Sequence, residues 1–157
     1  METVVGQSQG QTLQVVKRLP NWRGPLNAVI DSHRHHAFAY GSHDCALLAA
    51  DAVKAVIGID PAATFRGRYS DRAGADAVLR EAGFDDQVVA LAASLFPEIH
   101  PSMARVGDLA AVSSRLLGFG DSLALGVVTG PNIAVMAMAG LGFVSLAEAL
   151  RAFKVGL

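Results

Sequence analysis

Residues 39–48, Ala39-Tyr-Gly-Ser-His-Asp-Cys-Ala-Leu-Leu48, decide how the chain folds. A glycine-bearing turn leads into a helix, and Ser42 or Asp44 is placed to cap the free amides of its first turn. The helix is predicted to run to about Ile57, with Gly58 as its stop. Along it Cys45, Leu48, Ala49, Ala52 and Val56 follow the i, i+3, i+4, i+7, i+11 pattern of one buried face, whereas Asp51 and Lys54 lie elsewhere. The only cysteine of the chain therefore sits in the first turn, on the face that packs.

Upstream, Pro25 to His36 has proline in a first turn and Leu26, Val29 and Ile30 at helical spacing, which predicts a short amphipathic helix. Residues 1–18 read as an extension, Gly/Gln/Ser-rich at first and then with a possible short strand at Thr12 to Val16; residues 19–157 read as a single domain. Downstream, Arg66 to Ser70 is a loop, and helices are predicted at Ala73 to Glu81 and Gln87 to Phe96, closed by Gly83 and Pro97. After Pro101 the pattern turns to strand: Asp108 to Val112, Leu123 to Thr129, Ile133 to Met138 and Phe143 to Leu146, separated by glycine-rich turns. A last short helix is predicted at Leu146 to Phe153. Helices first and strands later predict an α+β fold, with the cysteine-bearing helix packed on an antiparallel sheet of about four to six strands.

The bulk composition narrows the function. A length of 157 residues with 52% hydrophobic residues suits one domain with a real core. Thirteen basic against 14 acidic residues, without a block of like charge, argue against a nucleic-acid reader. One cysteine allows no internal disulfide. The start METVVGQSQGQTLQ has no basic, then apolar, signal-peptide pattern. The apolar stretch Leu123 to Leu146 is broken by Gly126, Gly130, Pro131, Asn132, Gly140 and Gly142, and so reads as buried strands rather than a membrane span.

Cys45 is open to two readings. Free cysteine is often simple core filling, but a helix N-terminus also stabilises a thiolate, and a nearby imidazole does so more strongly. His43, two residues before the cysteine, is the possible base; His100 is a more distant one. His33, His35 and His36 fall at a helix end, where a solvated cationic ring is a plainer reading than a metal site, since no further His or Cys cluster supplies the remaining ligands. No metal and no cofactor are expected. Asp108 is expected to make a structural hydrogen bond. Arg66, Arg68, Arg72 and Tyr69 form a basic, aromatic loop open to an anionic partner or to a scattered-surface reading, and Met136 and Met138 read as core.

Phe38-Ala-Tyr-Gly-Ser-His-Asp-Cys-Ala-Leu-Leu with Val56-Ile-Gly-Ile resembles the NlpC family of papain-like cell-wall peptidases, in which an aromatic-Tyr-Gly turn leads to Asp-Cys-Ser-Gly and an amphipathic helix. Arg105-Val-Gly-Asp-Leu-Ala-Ala-Val is similar to that family's proline-Gly-Asp-Leu strand, and Leu123-Ala-Leu-Gly-Val-Val-Thr-Gly to its His-Val-Gly-Ile-Tyr-Ile-Gly strand. A closer resemblance is to a bacteriophage group of NlpC-like proteins with a Trp-containing first helix, Gly-x-His-Asp-Cys-Ala, and a short terminal helix followed by an aromatic and basic pair. Arg18-Leu-Pro-Asn-Trp, Gly41-Ser-His-Asp-Cys-Ala-Leu and Ala149-Leu-Arg-Ala-Phe-Lys-Val carry it. The resemblance implies a papain-like fold with Cys45 as nucleophile or its relic; with Asp44 and with His43, the histidine nearest in sequence, as an improvised base, Cys45 makes up the candidate catalytic set. It also places Ala124 where the family's histidine belongs, and Ala134 or Met136 where its orienting polar residue belongs.

Two functions follow as expectations. One is a virion component of a phage tail tip with a degenerate active site, made in the host cytoplasm and contacting other tail-tip proteins. The other is an active tail-associated cysteine peptidase or amidase that cuts peptidoglycan stem peptides. Neither involves nucleic acid or a membrane span.

Overall fold

The computed structural model describes residue 13, residues 15–85 and residues 87–157. The fold is α+β. From residue 15 on, the described residues form four α-helices first: α1 (Arg23–Arg34), α2 (Cys45–Ile57), α3 (Arg72–Glu81) and α4 (Val88–Leu95). Six strands follow: β1 (Glu98–Ile99), β2 (Leu109–Ser113), β3 (Leu123–Val128), β4 (Asn132–Ala137), β5 (Gly140–Ser145) and β6 (Arg151–Phe153). They form one sheet in the order β1-β6-β2-β3-β4-β5, antiparallel at every pairing.

α2 is built as local rules dictate. Asp44 is extended and its side chain accepts from the Leu47 N–H, while Gly58, at φ +81°, closes the last turn in the left-handed conformation that glycine adopts at least cost. Leu48, Ala49, Ala52, Val53 and Val56 are buried and pack with Leu125, Val127, Met136 and Phe153 in the main core. The sheet's other face carries a second cluster of Ala110, Val112, Ala124, Val128, Ile133 and Val135. Burial on both faces explains why β2, β3 and β4 read as nearly continuous apolar runs.

Two expectations are corrected. The helix expected over 146–153 is a single 3-10 turn, Leu146–Glu148, followed by β6. Its apolar spacing suits a helix, but the segment lies between two strands that need a partner. Phe153 stands opposite both Leu109 and Glu98, and the Leu150 N–H donates to the Ala111 carbonyl (2.8 Å). Sheet pairing, with Ala152 and Phe153 fully buried, outweighs helix propensity here. The possible strand at 12–16 lies partly outside the described residues; within them Leu13 is helical and Val15 is in a turn.

Among the described residues no helix is long and apolar enough to cross a membrane.

Candidate functional site

The turn at 39–43 is closed by reciprocal backbone bonds, Ala39 N–H to the His43 carbonyl (3.0 Å) and His43 N–H to the Ala39 carbonyl (2.9 Å). Gly41 has φ +88°, and a Cβ there would lie 2.2 Å from the Tyr69 carbonyl oxygen, so no other residue fits. Asp44 ties the turn to α2. One carboxylate oxygen accepts from Leu47 N–H (2.8 Å), and the other accepts from Gly41 N–H (2.9 Å) and from the Tyr69 hydroxyl (2.7 Å). The residue is 3% exposed. These three donors occupy its carboxylate in structural bonds. Tyr69, whose phenol is pushed up by burial and by the Asp44 charge, stays a hydrogen-bond donor.

Cys45 opens the helix and lines a cavity of about 180 Å³ with Phe38, Tyr40, Tyr69, Phe119, Ala124 and Met136. It packs against the cluster that contains Ala124. Its surroundings disfavour the thiolate: burial, with a further push from the Asp44 charge, raises the thiol to about 11, although backbone N–H groups of Leu125, Ala46 and Cys45 itself favour the anion. The sulfur is therefore a neutral thiol at physiological pH. None of the five histidines lines the cavity.

The His43 ring lies instead against α1. Its Nδ1 is 3.1 Å from Nδ1 of His33, and its ring stacks on His36 with centroids 3.9 Å apart and planes 8° from parallel. Nε2 of His33 donates to Asp51 Oδ2 (3.0 Å), and the other oxygen of Asp51 accepts from Arg66 (2.6 Å), which also donates to Asp60 (2.7 Å). His33 is 1% exposed, which corrects the solvated-end reading at that position. The cause is tertiary, since Asp51 approaches from α2, the helix that packs against α1. Burial opposes ionisation of Asp51, but the bonds from His33 and Arg66 hold its carboxyl below the usual range. His100 is spent locally, its Nδ1 accepting from the Ser102 N–H (3.1 Å) and lying 2.7 Å from the Ser102 hydroxyl. Among the described residues no three His, Cys, Asp or Glu side chains converge as a metal site.

Asp108 is structural, as its position predicts. It accepts from Arg18 (3.0 Å), from Val155 N–H (3.0 Å) and from Arg105 N–H (2.9 Å). Arg18 in turn donates to the carbonyls of Val106 and Val155 and lies over Trp22. The arginines of the 66–72 loop are all paired with carboxylates, Arg66 with Asp51 and Asp60, Arg68 with Glu81, and Arg72 with Asp76, so the loop is not a free cationic patch.

Sequence reasoning brought Asp44, Cys45 and Ala124 to one place but missed Tyr69 as the partner of the cap, and Asp51 with Arg66 behind the histidines. A polar Asp51 off the buried face of α2 was the available signal. Comparison with curated proteins and with solved structures found no match. Residues 17–155, from just before Arg18 to Val155, whose N–H donates to Asp108, match the domain of unknown function DUF6950, and the chain belongs to that family.

Proposed function

We propose that the chain is a structural component of a bacteriophage tail tip, with a papain-like, NlpC-like fold in which the nucleophile's position survives and its chemistry does not. One observation carries the reading: the cavity that holds Cys45 is lined by Ala124, the position that the resemblance assigns to the base, and by Met136, one of the two positions it offers for the orienting residue beside Ala134, and by no histidine. With no imidazole in the cavity to take its proton and burial raising it to about 11, the thiol supplies little nucleophilic thiolate at neutral pH. Exposed Met103, Leu116, Phe143 and Leu150, together with Met138, which is 58% exposed and not in the core where its alternation with alanine put it, offer apolar contacts to neighbouring tail proteins. The protein is made in the host cytoplasm and carried in the virion.

The test is incubation of the purified chain with peptidoglycan beside a Cys45→Ala control, together with detection of the chain in purified virions. The expected result is no Cys45-dependent release of stem peptides and a fixed ratio of the chain to other tail proteins. Cys45-dependent release would establish the competing function, a tail-associated cysteine peptidase or amidase. Absence from virions would remove the structural role.

A further inference from the structure

We propose that His33 and His43 form a proton-counting latch, which holds the 39–43 turn against α1 at neutral pH and releases it on acidification. The two Nδ1 atoms are 3.1 Å apart, so one of them must carry the hydrogen and the other must accept it. His33 keeps its Nε2–H on Asp51. With both rings neutral, His43 donates to His33; with one added proton on either ring, there is still a single hydrogen between the two nitrogens. A second added proton puts two N–H groups face to face, and the contact cannot persist. His36, stacked on His43 with parallel planes, adds a third charge to the same spot when it is protonated.

The groups that face the pair are few. His36 comes from the end of α1, Asp51 from α2 with Arg66 behind it and Asp60 behind Arg66, and Asp44 from the helix cap. Asp31 and Arg34 of α1 pair with each other, and strand β5 (Gly140–Ser145), which packs on α1, contains no titratable residue. Asp51 is already engaged by Arg66 and so offsets only part of the accumulating positive charge. Burial and the charges of His36 and His33 depress the affinity of His43 for its proton. The sign follows: an imidazole held below its ordinary value leaves the closed turn fully stable above about pH 6.5, and that stability is lost as the pH falls below it toward the depressed folded value.

Release has a local consequence. Phe38, Tyr40 and Asp44, which flank or belong to the turn, also line the Cys45 cavity, so acidification loosens one wall of that cavity. The latch does not depend on whether Cys45 is a nucleophile or a relic.

Amide hydrogen exchange of the intact chain tests this, read as protection relative to intrinsic rates. Between pH 7.5 and pH 5, the Ala39 and His43 amides, both hydrogen-bonded within the turn, are expected to lose at least tenfold protection, while Val53 in the middle of α2 keeps its own. His43→Asn, which keeps a polar group near the Nδ1 position without a titrating charge, is expected to make the turn's protection independent of pH. His36→Phe, which keeps the stack and removes a charge, is expected to move the transition to lower pH. Equal protection of the turn at both pH values, or an undiminished acid response in His43→Asn, overturns the proposal. Should His43→Asn unfold, His36→Phe alone decides, because an unmoved transition midpoint contradicts the latch.

Discussion

The cavity beside Cys45 holds polar side chains such as Asp44 and Tyr69 but no imidazole, whereas the neighbourhood of His43, two residues earlier, is a connected run of hydrogen bonds from His43 through His33 and Asp51 to Arg66. The stretch Gly41–Cys45 sends its imidazole to α1 and its sulfur into the cleft between α2 and β3. The contrast shows that proximity in sequence does not make a catalytic pair. A base must be within hydrogen-bond reach of the nucleophile, and both partners must be free of other obligations. Here the imidazole is committed elsewhere, and Asp44 between the two is fully occupied by three donors.

The harshest way to break this arrangement is Gly41→Ala, because the added methyl meets the Tyr69 carbonyl oxygen in a backbone conformation that only glycine tolerates. A destabilisation of about 3 kcal/mol or more is expected in urea unfolding, with both neighbourhoods lost together. Asp44→Ala removes the cap and leaves the Gly41 N–H and Tyr69 hydroxyl without their acceptor, with an expected cost of about 2 kcal/mol by the same measurement.

The cysteine side can be tested by itself through pH. A thiol raised from 9.0 to about 11 contributes stability that is complete below pH 9 and lost as the pH rises through the folded value. Wild-type stability should therefore fall by roughly 2 kcal/mol more than that of Cys45→Ala between pH 9 and pH 11. The smallest expected effect sharpens the contrast by supplying what the cleft lacks. Ala124→His places an imidazole at the position implied by the resemblance, and the rate of alkylation of Cys45 by iodoacetamide at pH 7.5 is expected to rise about tenfold, equivalent to about 1.4 kcal/mol. An unchanged rate would mean that the two positions do not face one another.

What was legible in the sequence was local. Asp44, the apolar spacing after Cys45 and Gly58 specify α2 within a residue of its observed limits, because cap, periodic face and stop are all written within 15 consecutive positions. β6 was not legible: Leu146 to Phe153 has helical spacing, and only the positions of β1 and β2 on either side make it a strand. The two-residue β1 was missed for the same reason. The burial of His33 depends on Asp51, 18 residues away on another helix, and no periodicity within α1 announces it. The site divides the same way, with its cap and cysteine visible from neighbouring residues and its histidine network visible only once α1 and α2 are packed.

The junction of Arg18, Asp108 and Val155 has a mechanical meaning. The Leu157 N–H also donates to the Val16 carbonyl (3.1 Å), so the described N-terminal and C-terminal segments leave the fold side by side. A pull applied through both of them loads this junction first, and it must open before tension reaches the central strands or the helix that carries Cys45. The ion pair with its four backbone hydrogen bonds then acts as a strain relief, keeping tension at these two segments away from the cleft and the histidine turn.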